Sequence, residues 1–314
     1  MDEDWDYLIV LDACRYDYFS YVYSFYFNGN LKKVFSPGSW TPEWCVKSFT
    51  EYYEDVIYIS ANPYINSKYS VSSFDAKKHF YKVVDVWFFG WDDKVGTVFP
   101  EEVNKSLLYF KEKHPDKRFI IHYLQPHAPY ISPKFISPGF PKPSPSKRIF
   151  LKGVKNAQTS SGPFKQVERM INLFDFFSRK VGFGNLFSWK LREYVGLPPA
   201  SPMDLTRRIY GIEGLRMAYY ENLKIVLKYV AILVSDLRGT IIITSDHGEF
   251  LGEERGKFGH YSGSKSPILR VVPWFEVHSV KEDVKKLTVK SELRRKIKRL
   301  SRKLRAKKES VKRF

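Results

Sequence analysis

Two adjacent side chains that bind metals, Asp246 and His247, directly follow the apolar run at residues 241–245. Asp12 follows a second apolar run, at residues 8–11. Such runs are typical of buried strands, and open α/β sheets bind ligands at the carboxyl ends of their strands. Two carboxylates and an imidazole suit Zn²⁺ or Mn²⁺ and, less obviously, Ca²⁺. The sequence therefore predicts an enzyme with a metal-centred site.

A hydroxyl nucleophile is available in the segment at residues 35–42, Phe-Ser-Pro-Gly-Ser-Trp-Thr-Pro. Thr41 precedes a proline in a glycine-containing turn that leads towards a predicted helix, so its hydroxyl can point at a metal. Metal coordination lowers the pKa of such a hydroxyl, and free N–H groups at a helix start stabilise a bound anion. Thr41 is the predicted nucleophile, and Ser36 and Ser39 in the same turn are the alternatives.

Short apolar runs bounded by turn residues alternate with helical patterns, which is typical of an α/β fold. Because the runs are apolar throughout, we expect strands that are buried on both faces of a mostly parallel, doubly wound sheet with helices on both faces. A helical stretch that leads through Gly239 into the strand before Asp246 fits such a crossover. The predicted strands are 7–11, 56–59, 83–89, 119–124 and 239–244, and the predicted helices include 101–113 and 215–237.

Between residues 131 and 204 the composition changes to many Pro, Ser and Lys residues, and strand patterns weaken. We interpret this segment as an insertion over the active-site edge, either a cap with helical parts near 167–179 or a flexible surface excursion. The predicted catalytic domain covers residues 1–280 and includes the insertion. A chain of 314 residues that is 43% hydrophobic can form one large domain of this kind.

The net charge of +18 is concentrated at the end of the chain. Residues 281–314 contain 16 Lys or Arg and 4 Asp or Glu, so this tail carries +12 and the body only +6. Leucine and isoleucine spacing predicts a helix over 284–305 with a narrow apolar stripe and a basic face. Such a helix binds anionic lipid at the membrane surface or remains frayed in solvent. Nucleic acid is the less favoured partner, because the tail lacks aromatic residues for base stacking before Phe314.

The N-terminus is acidic and lacks the pattern of a signal peptide, and no segment approaches ~20 uninterrupted apolar residues. These features predict a soluble, cytoplasmic protein with peripheral contact at the inner membrane surface. Cys14 and Cys45 are too few for a disulfide framework and have no paired metal spacing. We expect both to be free, buried thiols.

The motifs together resemble those of the alkaline phosphatase superfamily, within it the sulfatase-like and the phosphoethanolamine or phosphoglycerol transferase branches. Any one motif is weak evidence, but four occur in the expected order at strand ends, between about residues 7 and 277. They are Leu-Asp-Ala-Cys-Arg-Tyr-Asp at 11–17, Trp-Thr-Pro at 40–42 with Ser-Phe-Thr at 48–50, His-Tyr-Leu-Gln-Pro-His-Ala-Pro-Tyr at 122–130, and Thr-Ser-Asp-His-Gly-Glu-Phe-Leu-Gly-Glu at 244–253 with Gly-His at 259–260.

The resemblance implies a metal-dependent ester hydrolase or transferase with a threonine nucleophile. It implies that one divalent metal is held by Asp12, Thr41, Asp246 and His247, and that Thr41 attacks phosphorus or sulfur and is transiently esterified. Further residues are implied to bind the substrate's anionic oxygens or the leaving group. They are His127, His260, Lys257 and Arg15, although for Arg15 an ion pair with Asp17 that positions the loop after Asp12 is the favoured interpretation. His122 is expected to be a core histidine, and Glu249 and Glu253 to be loop carboxylates.

Three departures from the family pattern narrow this prediction. The segment around Cys45 lacks the Pro and Arg signature of formylglycine sulfatases, and Thr41 occupies the place of their Cys. Asp12 is followed by Ala13, where those sulfatases tend to have a second Asp. The segment that ends at His127 lacks the extra Asp and His of two-metal phosphodiesterases. We therefore predict a one-metal site, which His260 or Asp17 could extend to two.

The predicted substrate is an anionic sulfate, phosphate or phosphodiester group attached to a glycan or a lipid head group. The alternative is a catalytically degenerate sulfatase-like protein that holds a ligand while its basic tail docks to anionic membrane or nucleic acid. No position around the predicted metal is visibly lost, which disfavours that alternative.

Overall fold

A central seven-stranded sheet organises the part of the chain that the computed structural model describes, residues 3–135, 139–143, 164–180, 183–284 and 286. The strands are β1 (Tyr7–Leu11), β2 (Phe27–Phe35), β3 (Tyr53–Ser60), β4 (Phe80–Asp85), β5 (Trp91–Asp92), β6 (Thr97–Val98), β7 (Arg118–Tyr123), β8 (Ile241–Thr244), β9 (Phe250–Leu251), β10 (Phe258–Gly259) and β11 (Val271–Val280). The order in the large sheet is β2-β11-β8-β1-β7-β3-β4, and β5-β6 and β9-β10 form separate small hairpins.

The helices are α1 (Tyr16–Val22), α2 (Thr41–Ser48), α3 (Val86–Phe89), α4 (Pro100–Lys113), α5 (Phe164–Lys180), α6 (Leu186–Tyr194), α7 (Pro202–Val234) and α8 (Pro267–Arg270). Gly211 interrupts α7 with a φ of 73°, a conformation that glycine adopts without the steric penalty of a side chain. The turn Glu253–Gly256 is left-handed at Glu254 and Arg255.

Five adjacent strands, β8-β1-β7-β3-β4, run parallel, while β11 is antiparallel to both β8 and β2. Alternate side chains of the parallel strands point to opposite faces of the sheet. Ile9 and Leu11 pack in a core with residues of α4 and α7, and Leu8 and Val10 pack in a second core with Trp44 of α2. The predicted mostly parallel sheet with helices on both faces is therefore confirmed.

The predicted strand at Val83 to Phe89 is wrong in its second half. The strand ends at Asp85, whose carboxylate accepts hydrogen bonds from the backbone and hydroxyl of Ser67, and the chain then forms α3. Phe89 is exposed at the end of this helix. A continuous apolar run does not distinguish a strand from a buried helical turn, because periodicity is the signal that separates them.

Two strands of the seven-stranded sheet, β2 and β11, were not predicted from the sequence. β2 lies at the edge of the sheet and is rich in Asn, Gly and Lys, so its apolar signal is weak. β11 contains Pro273, which usually argues against an interior strand. Pro273 is paired with Lys33 of β2 and lies one residue beyond Trp274, where the pairing of β11 with β8 ends, so the proline is outside the ladder between β8 and β11.

The described parts of the predicted insertion contain α5, α6 and the beginning of α7. The helix predicted near 167–179 is thus present as α5, and the boundaries of the insertion stay a prediction. The tail helix predicted over 284–305 lies outside the described residues, apart from 284 and 286. In the described part of the chain, no helix is long and apolar enough to cross a membrane. The cytoplasmic location stays a prediction. Cys14 and Cys45 are free and buried, as expected.

Candidate metal centre and active site

The strand register brings Asp12 and Asp246 to the same edge of the sheet. Val10 of β1 is paired with Thr244 of β8, and each aspartate lies two residues further along its strand direction. The Ala13 N–H and the His247 N–H both donate to Asp246 Oδ1, at 3.0 and 2.9 Å. Ala13 adopts a φ of 58°, an uncommon conformation for a residue with a side chain. The backbone after both strands is thus arranged around the Asp246 carboxylate.

The four predicted metal-binding side chains lie together, buried at this edge. Thr41 Oγ1 donates to Asp246 Oδ2 at 2.7 Å and lies 3.4 Å from His247 Nε2. His247 Nε2 lies 3.3 Å from Asp246 Oδ2 and 3.8 Å from Asp12 Oδ1. One ligand atom from each of Asp12, Asp246 and His247 falls within 4.8 Å of the others, so the three side chains could hold one ion. We name Asp12, Thr41, Asp246 and His247 the acidic cluster.

Helix α2 positions Thr41, because the helix begins at this residue and carries Pro42 in its first turn. The alternative hydroxyls in the same turn are used elsewhere. Ser36 Oγ donates to the backbone oxygen of Asp246, and Ser39 Oγ lies 2.9 Å from both Glu43 Oε2 and Tyr261 O. Of the three hydroxyls in this turn, only that of Thr41 contacts a predicted metal ligand side chain, so the geometry favours Thr41 over the serines.

Gly38 holds α2 close to the turn that precedes it. A Cβ built at Gly38 would lie 2.3 Å from the backbone nitrogen of Trp44 and 2.6 Å from its Cα. We therefore expect Gly38→Ala to push α2 and Thr41 out of place and to cost about 1–3 kcal/mol of stability, since overpacking of this kind forces backbone shifts. Thermal unfolding of the variant would measure the loss. Gly263→Ala is the contrast, because nothing lies within 4 Å of its Cβ position and only its left-handed φ of 75° is strained.

Asn62 is a member of this site that the sequence reading missed. Its amide nitrogen donates to Asp12 Oδ2 at 2.8 Å and to Thr41 Oγ1 at 3.3 Å, while its amide oxygen accepts from the Tyr64 N–H at 2.9 Å. The bond from Tyr64 fixes which end of the amide faces the cluster. The sequence feature that could have predicted it is the Asn-Pro pair, which begins two residues after β3 at the same edge of the sheet as Asp12.

The electrostatics of the acidic cluster fit a cation. Burial, and then the charges of Asp246 and Glu249, raise the pKa of Asp12 well above its ordinary value. Asp12 Oδ1 is buried without a hydrogen-bond partner in the described part of the chain. His247 Nδ1 lies 2.8 Å from the Gly248 oxygen, which fixes the proton on Nδ1 and leaves Nε2 as an acceptor. Burial lowers the pKa of His247, so the ring is a neutral ligand.

His122 lies beneath the acidic cluster, as the core histidine that we expected. Its Nδ1 is 2.8 Å from the Tyr58 hydroxyl, and its Nε2 is 3.9 Å from Asp246 Oδ2. Burial lowers the pKa of His122 to about 4, so the ring stays neutral at ordinary pH.

A second group of side chains adjoins the acidic cluster and contains His127, Glu249 and His260. One ligand atom from each falls within 4.8 Å of the others. His260 Nδ1 is 2.8 Å from Glu249 Oε1, and the rings of His247 and His260 are 4.3 Å apart between centroids. His127 Nδ1 is 2.5 Å from the Ala128 oxygen, which leaves its Nε2 free of that bond. We name these three residues the histidine pair with Glu249.

Glu249 is a loop carboxylate, as expected, and its side chain is fully buried. Burial alone would raise its pKa, but the neighbouring His127 and the hydrogen bond from His260 lower it below the ordinary value. Its Oε2 has no hydrogen-bond partner in the described part of the chain. Glu249 therefore offers one carboxylate oxygen to His260 and one to a ligand.

Three other predicted residues are engaged in ion pairs. Arg15 forms ion pairs with Asp17 at 2.6 Å and with Glu253 at 2.7 Å, which fits the loop-positioning alternative. Lys257 Nζ lies 2.8 Å from Glu254 Oε2. Asp17 and His260 were the two residues that could extend the site to a second metal. Asp17 is paired with Arg15, whereas His260 belongs to the histidine pair with Glu249. The roles of all these residues in chemistry stay predictions.

No protein-family model matches this sequence, and no curated protein sequence matches it. Solved structures do match. The fold is similar to the soluble domain of lipooligosaccharide phosphoethanolamine transferase A from Neisseria meningitidis, with 14% identity, 86% of this chain and 75% of that chain covered, and a TM-score of 0.46. It is also similar to phosphonate monoester hydrolase of Agrobacterium radiobacter, with 14% identity, 86% and 67% coverage, and a TM-score of 0.44. A putative sulfatase from Bacteroides thetaiotaomicron matches with 9% identity, 86% and 63% coverage, and a TM-score of 0.45.

The chain has a mixed, mostly parallel seven-stranded sheet with helices on both faces. The matched enzymes are of the kinds that the sequence motifs resemble. At these identities the matches concern the fold alone, and they assign neither an activity nor a substrate to this chain.

A cavity of about 160 Å³ opens beside the histidine pair. Its lining combines polar side chains with apolar ones, and most of the apolar ones belong to the predicted insertion. An engineered protein cavity of ~150 Å³ accepts benzene, so this one has room for a ring or a short hydrocarbon chain. The polar lining residues are His127, Ser201, Glu249 and His260, and the others are Ala128, Phe140, Trp189, Pro202, Met203 and Gly259.

Proposed function

We propose that the chain is a metal-dependent hydrolase or transferase of phosphate or sulfate esters, with Thr41 as the nucleophile. The observation that carries the proposal is the acidic cluster, in which the Thr41 hydroxyl contacts Asp246 and lies beside His247. Asp12, Thr41, Asp246 and His247 supply the oxygen and nitrogen donors that a divalent cation of the Zn²⁺ or Mn²⁺ type prefers. When bound, such a cation would lower the pKa of the Thr41 hydroxyl and neutralise charge on the anionic ester.

In the first step, the Thr41 hydroxyl passes its proton to Asp246 Oδ2, which accepts its hydrogen bond, and Oγ1 forms a bond to phosphorus or sulfur as the bond to the ester oxygen breaks. Asn62 donates to both Asp12 and Thr41 and holds the two side chains in register. In the second step, water or an acceptor alcohol attacks the phosphorus or sulfur of the Thr41 ester, and the threonine oxygen leaves and takes its proton back from Asp246.

The histidine pair with Glu249 gives a proton to the departing ester oxygen in the first step and takes one from the attacking water or alcohol in the second step. His260 holds a proton on Nδ1 against Glu249, so its Nε2 can take a proton from water or an alcohol, and Glu249 stabilises the resulting positive ring. By the reverse transfer, the ring gives this proton to the departing ester oxygen. The same three side chains are also a donor set for a second cation.

The cavity favours esters whose alcohol carries an apolar part, as a lipid-linked substrate does. The ester oxygen would lie against the histidine pair, and the apolar part against Phe140, Trp189 and Met203. Removing a ring or short chain from water contributes about 25 cal/mol for each Å² of apolar surface buried, which lowers the KM of such esters.

We expect Phe140→Ala to raise the KM for a phenyl ester about tenfold and to leave the KM for the methyl ester of the same acid nearly unchanged, since one aromatic contact is lost. Phe88→Ala is the matched control, because both phenylalanines are 37% exposed and only Phe140 lines the cavity. Steady-state kinetics of the three proteins would measure the difference. Equal effects of the two substitutions on the phenyl ester would remove the cavity from substrate binding.

The overall proposal is tested by assaying aryl sulfate, phosphomonoester, phosphodiester and phosphonate esters with Zn²⁺, Mn²⁺ or Ca²⁺. We expect metal-dependent turnover of at least one class, and transfer to an added alcohol such as glycerol would identify a transferase. Tight binding of these esters without turnover under every metal would instead indicate the ligand-holding alternative.

A further inference from the structure

Helix α5 has its apolar side turned outward. At about 100° per residue, five exposed apolar side chains fall in one arc of roughly 120° along the helix, and the exposed Phe176 lies about 60° beyond that arc. The inward side includes the buried Glu168 and Ile171. The outward arc contains Val167, Met170, Leu173, Phe174 and Phe177, all exposed. This is the reverse of an ordinary surface helix, whose polar side faces water.

Polar contacts hold α5 in this orientation. Glu168 forms a buried ion pair with Arg192 of α6 at 2.8 Å, and Ser188 of α6 donates to Asp175 at 2.6 Å. Rotating the helix to bury its aromatic side would expose this ion pair and break both contacts. The acidic side chains of α5 are thus directed inward, and its apolar side chains remain outward.

Helix α6 extends the same surface. Phe187 of α6 packs against Phe174 of α5, with 5.3 Å between ring centroids. Lys190 and Tyr194, three and seven residues after Phe187, lie on the same side of α6 and are exposed. We name the outward arc of α5 together with Phe187, Lys190 and Tyr194 the aromatic face.

We propose that the aromatic face docks on an anionic lipid bilayer. The exposed charged residues beside its apolar side chains include Arg169 of α5 and Lys190 of α6, both basic, while Glu168 and Asp175 of α5 are engaged with α6. Apolar and aromatic side chains flanked by Lys and Arg are typical of helices that lie in the membrane interface, where basic side chains reach anionic head groups. The net charge of +6 carried by residues 1–280 adds to this attraction.

Docking here would bring the cavity close to the lipid. Trp189 of α6 lines the cavity, whereas Phe187, two residues earlier, is in the aromatic face. The same short helix therefore joins the docking surface to the site beside His127 and His260. The docking itself does not depend on the proposed ester chemistry, and it can be tested without any activity assay.

The test compares the full chain with its Phe174→Asp/Phe177→Asp variant in co-sedimentation with vesicles of phosphatidylcholine and phosphatidylglycerol. We expect the variant to lose about 100-fold in partitioning, because two aromatic side chains no longer enter the bilayer. Phe25→Asp/Phe89→Asp is the matched control. Its side chains are 62% and 61% exposed, against 46% and 55% for Phe174 and Phe177, and it adds the same charge. We expect the control to bind like the unmodified chain.

Equal binding by the two double variants would overturn the proposal, because the basic residues at 281–314 are present in both and would then account for the binding. Dissociation of a dimer by Phe174→Asp/Phe177→Asp in analytical ultracentrifugation, without loss of lipid binding, would assign the face to a second copy of the chain and would also overturn it. Near-ultraviolet circular dichroism checks the fold of each variant. Met170→Ser/Leu173→Ser repeats the test at the same face without added charge, and we expect weaker binding again.

Discussion

Replacing Thr41 by alanine is expected to reduce turnover by about 10³-fold or more while the chain remains folded, since the hydroxyl proposed to form the ester intermediate is lost. Thr41 is small and lies at the first position of α2, so its removal leaves only a minor space. Thr41→Ser keeps the hydroxyl, and we expect it to retain a substantial part of the turnover. Steady-state rates on the best ester of the panel, together with thermal unfolding, would measure both effects.

Ser39→Ala is the control for this substitution. It removes a hydroxyl two residues away, in the same turn, whose contacts are with Glu43 and Tyr261. We expect it to lower turnover by less than about tenfold, since these contacts position the turn without touching the acidic cluster. Full turnover by Thr41→Ala combined with a loss by Ser39→Ala would transfer the role of nucleophile to Ser39.

The position of the acidic residues at one edge of the sheet was predictable because the sequence patterns that indicate it are local. Each buried strand is a short apolar run, and the polar residue that follows it must lie at the carboxyl end of a parallel strand. Asp12 and Asp246 could therefore be placed together from two separate segments, before any pairing was known. The same rule applied to the Asn-Pro pair after β3 would have added Asn62 to the site.

Other features depend on contacts that no local pattern contains. Glu249 lies in a loop next to the metal motif, and its burial follows from the arrival of His260 and His127 from two other segments. The helix at α5 was predictable from its periodicity, but the direction of its apolar side was not. Periodicity locates an apolar side, and the general expectation that this side is buried gives the wrong orientation for α5.

Metal binding to the acidic cluster is expected to stabilise the fold as well as to enable turnover. The carboxylates of Asp12 and Asp246 offer ligand atoms within 4.8 Å of one another, and at an effective dielectric constant of about 20 two such charges repel by roughly 3 kcal/mol. A cation that binds only the folded chain contributes ~2.7 kcal/mol at 100 times its Kd. For a chain of this size, we expect Tm to rise by about 5 °C when metal is added to chelator-treated protein.

Asp12→Asn separates this effect from a general loss of structure. The amide has nearly the shape of the carboxylate, and its oxygen can still accept the hydrogen bond from Asn62. Without metal, we expect the variant to be as stable as the unmodified chain or slightly more stable, because one of two repelling buried charges is gone. With metal, the rise in Tm and the turnover should both disappear.

A substitution that leaves or raises Tm without metal but lowers it with metal identifies a cation ligand. A residue that merely supports the fold would lower Tm with and without metal, and a residue remote from the cation would leave the metal-induced rise intact. Asp55→Asn is a suitable contrast, because Asp55 pairs with Arg118 at the start of β7, at the opposite end of the parallel strands from the acidic cluster. An undiminished metal-induced rise in Asp12→Asn would exclude Asp12 as a ligand, and the proposed centre would then have to be assigned to the histidine pair with Glu249.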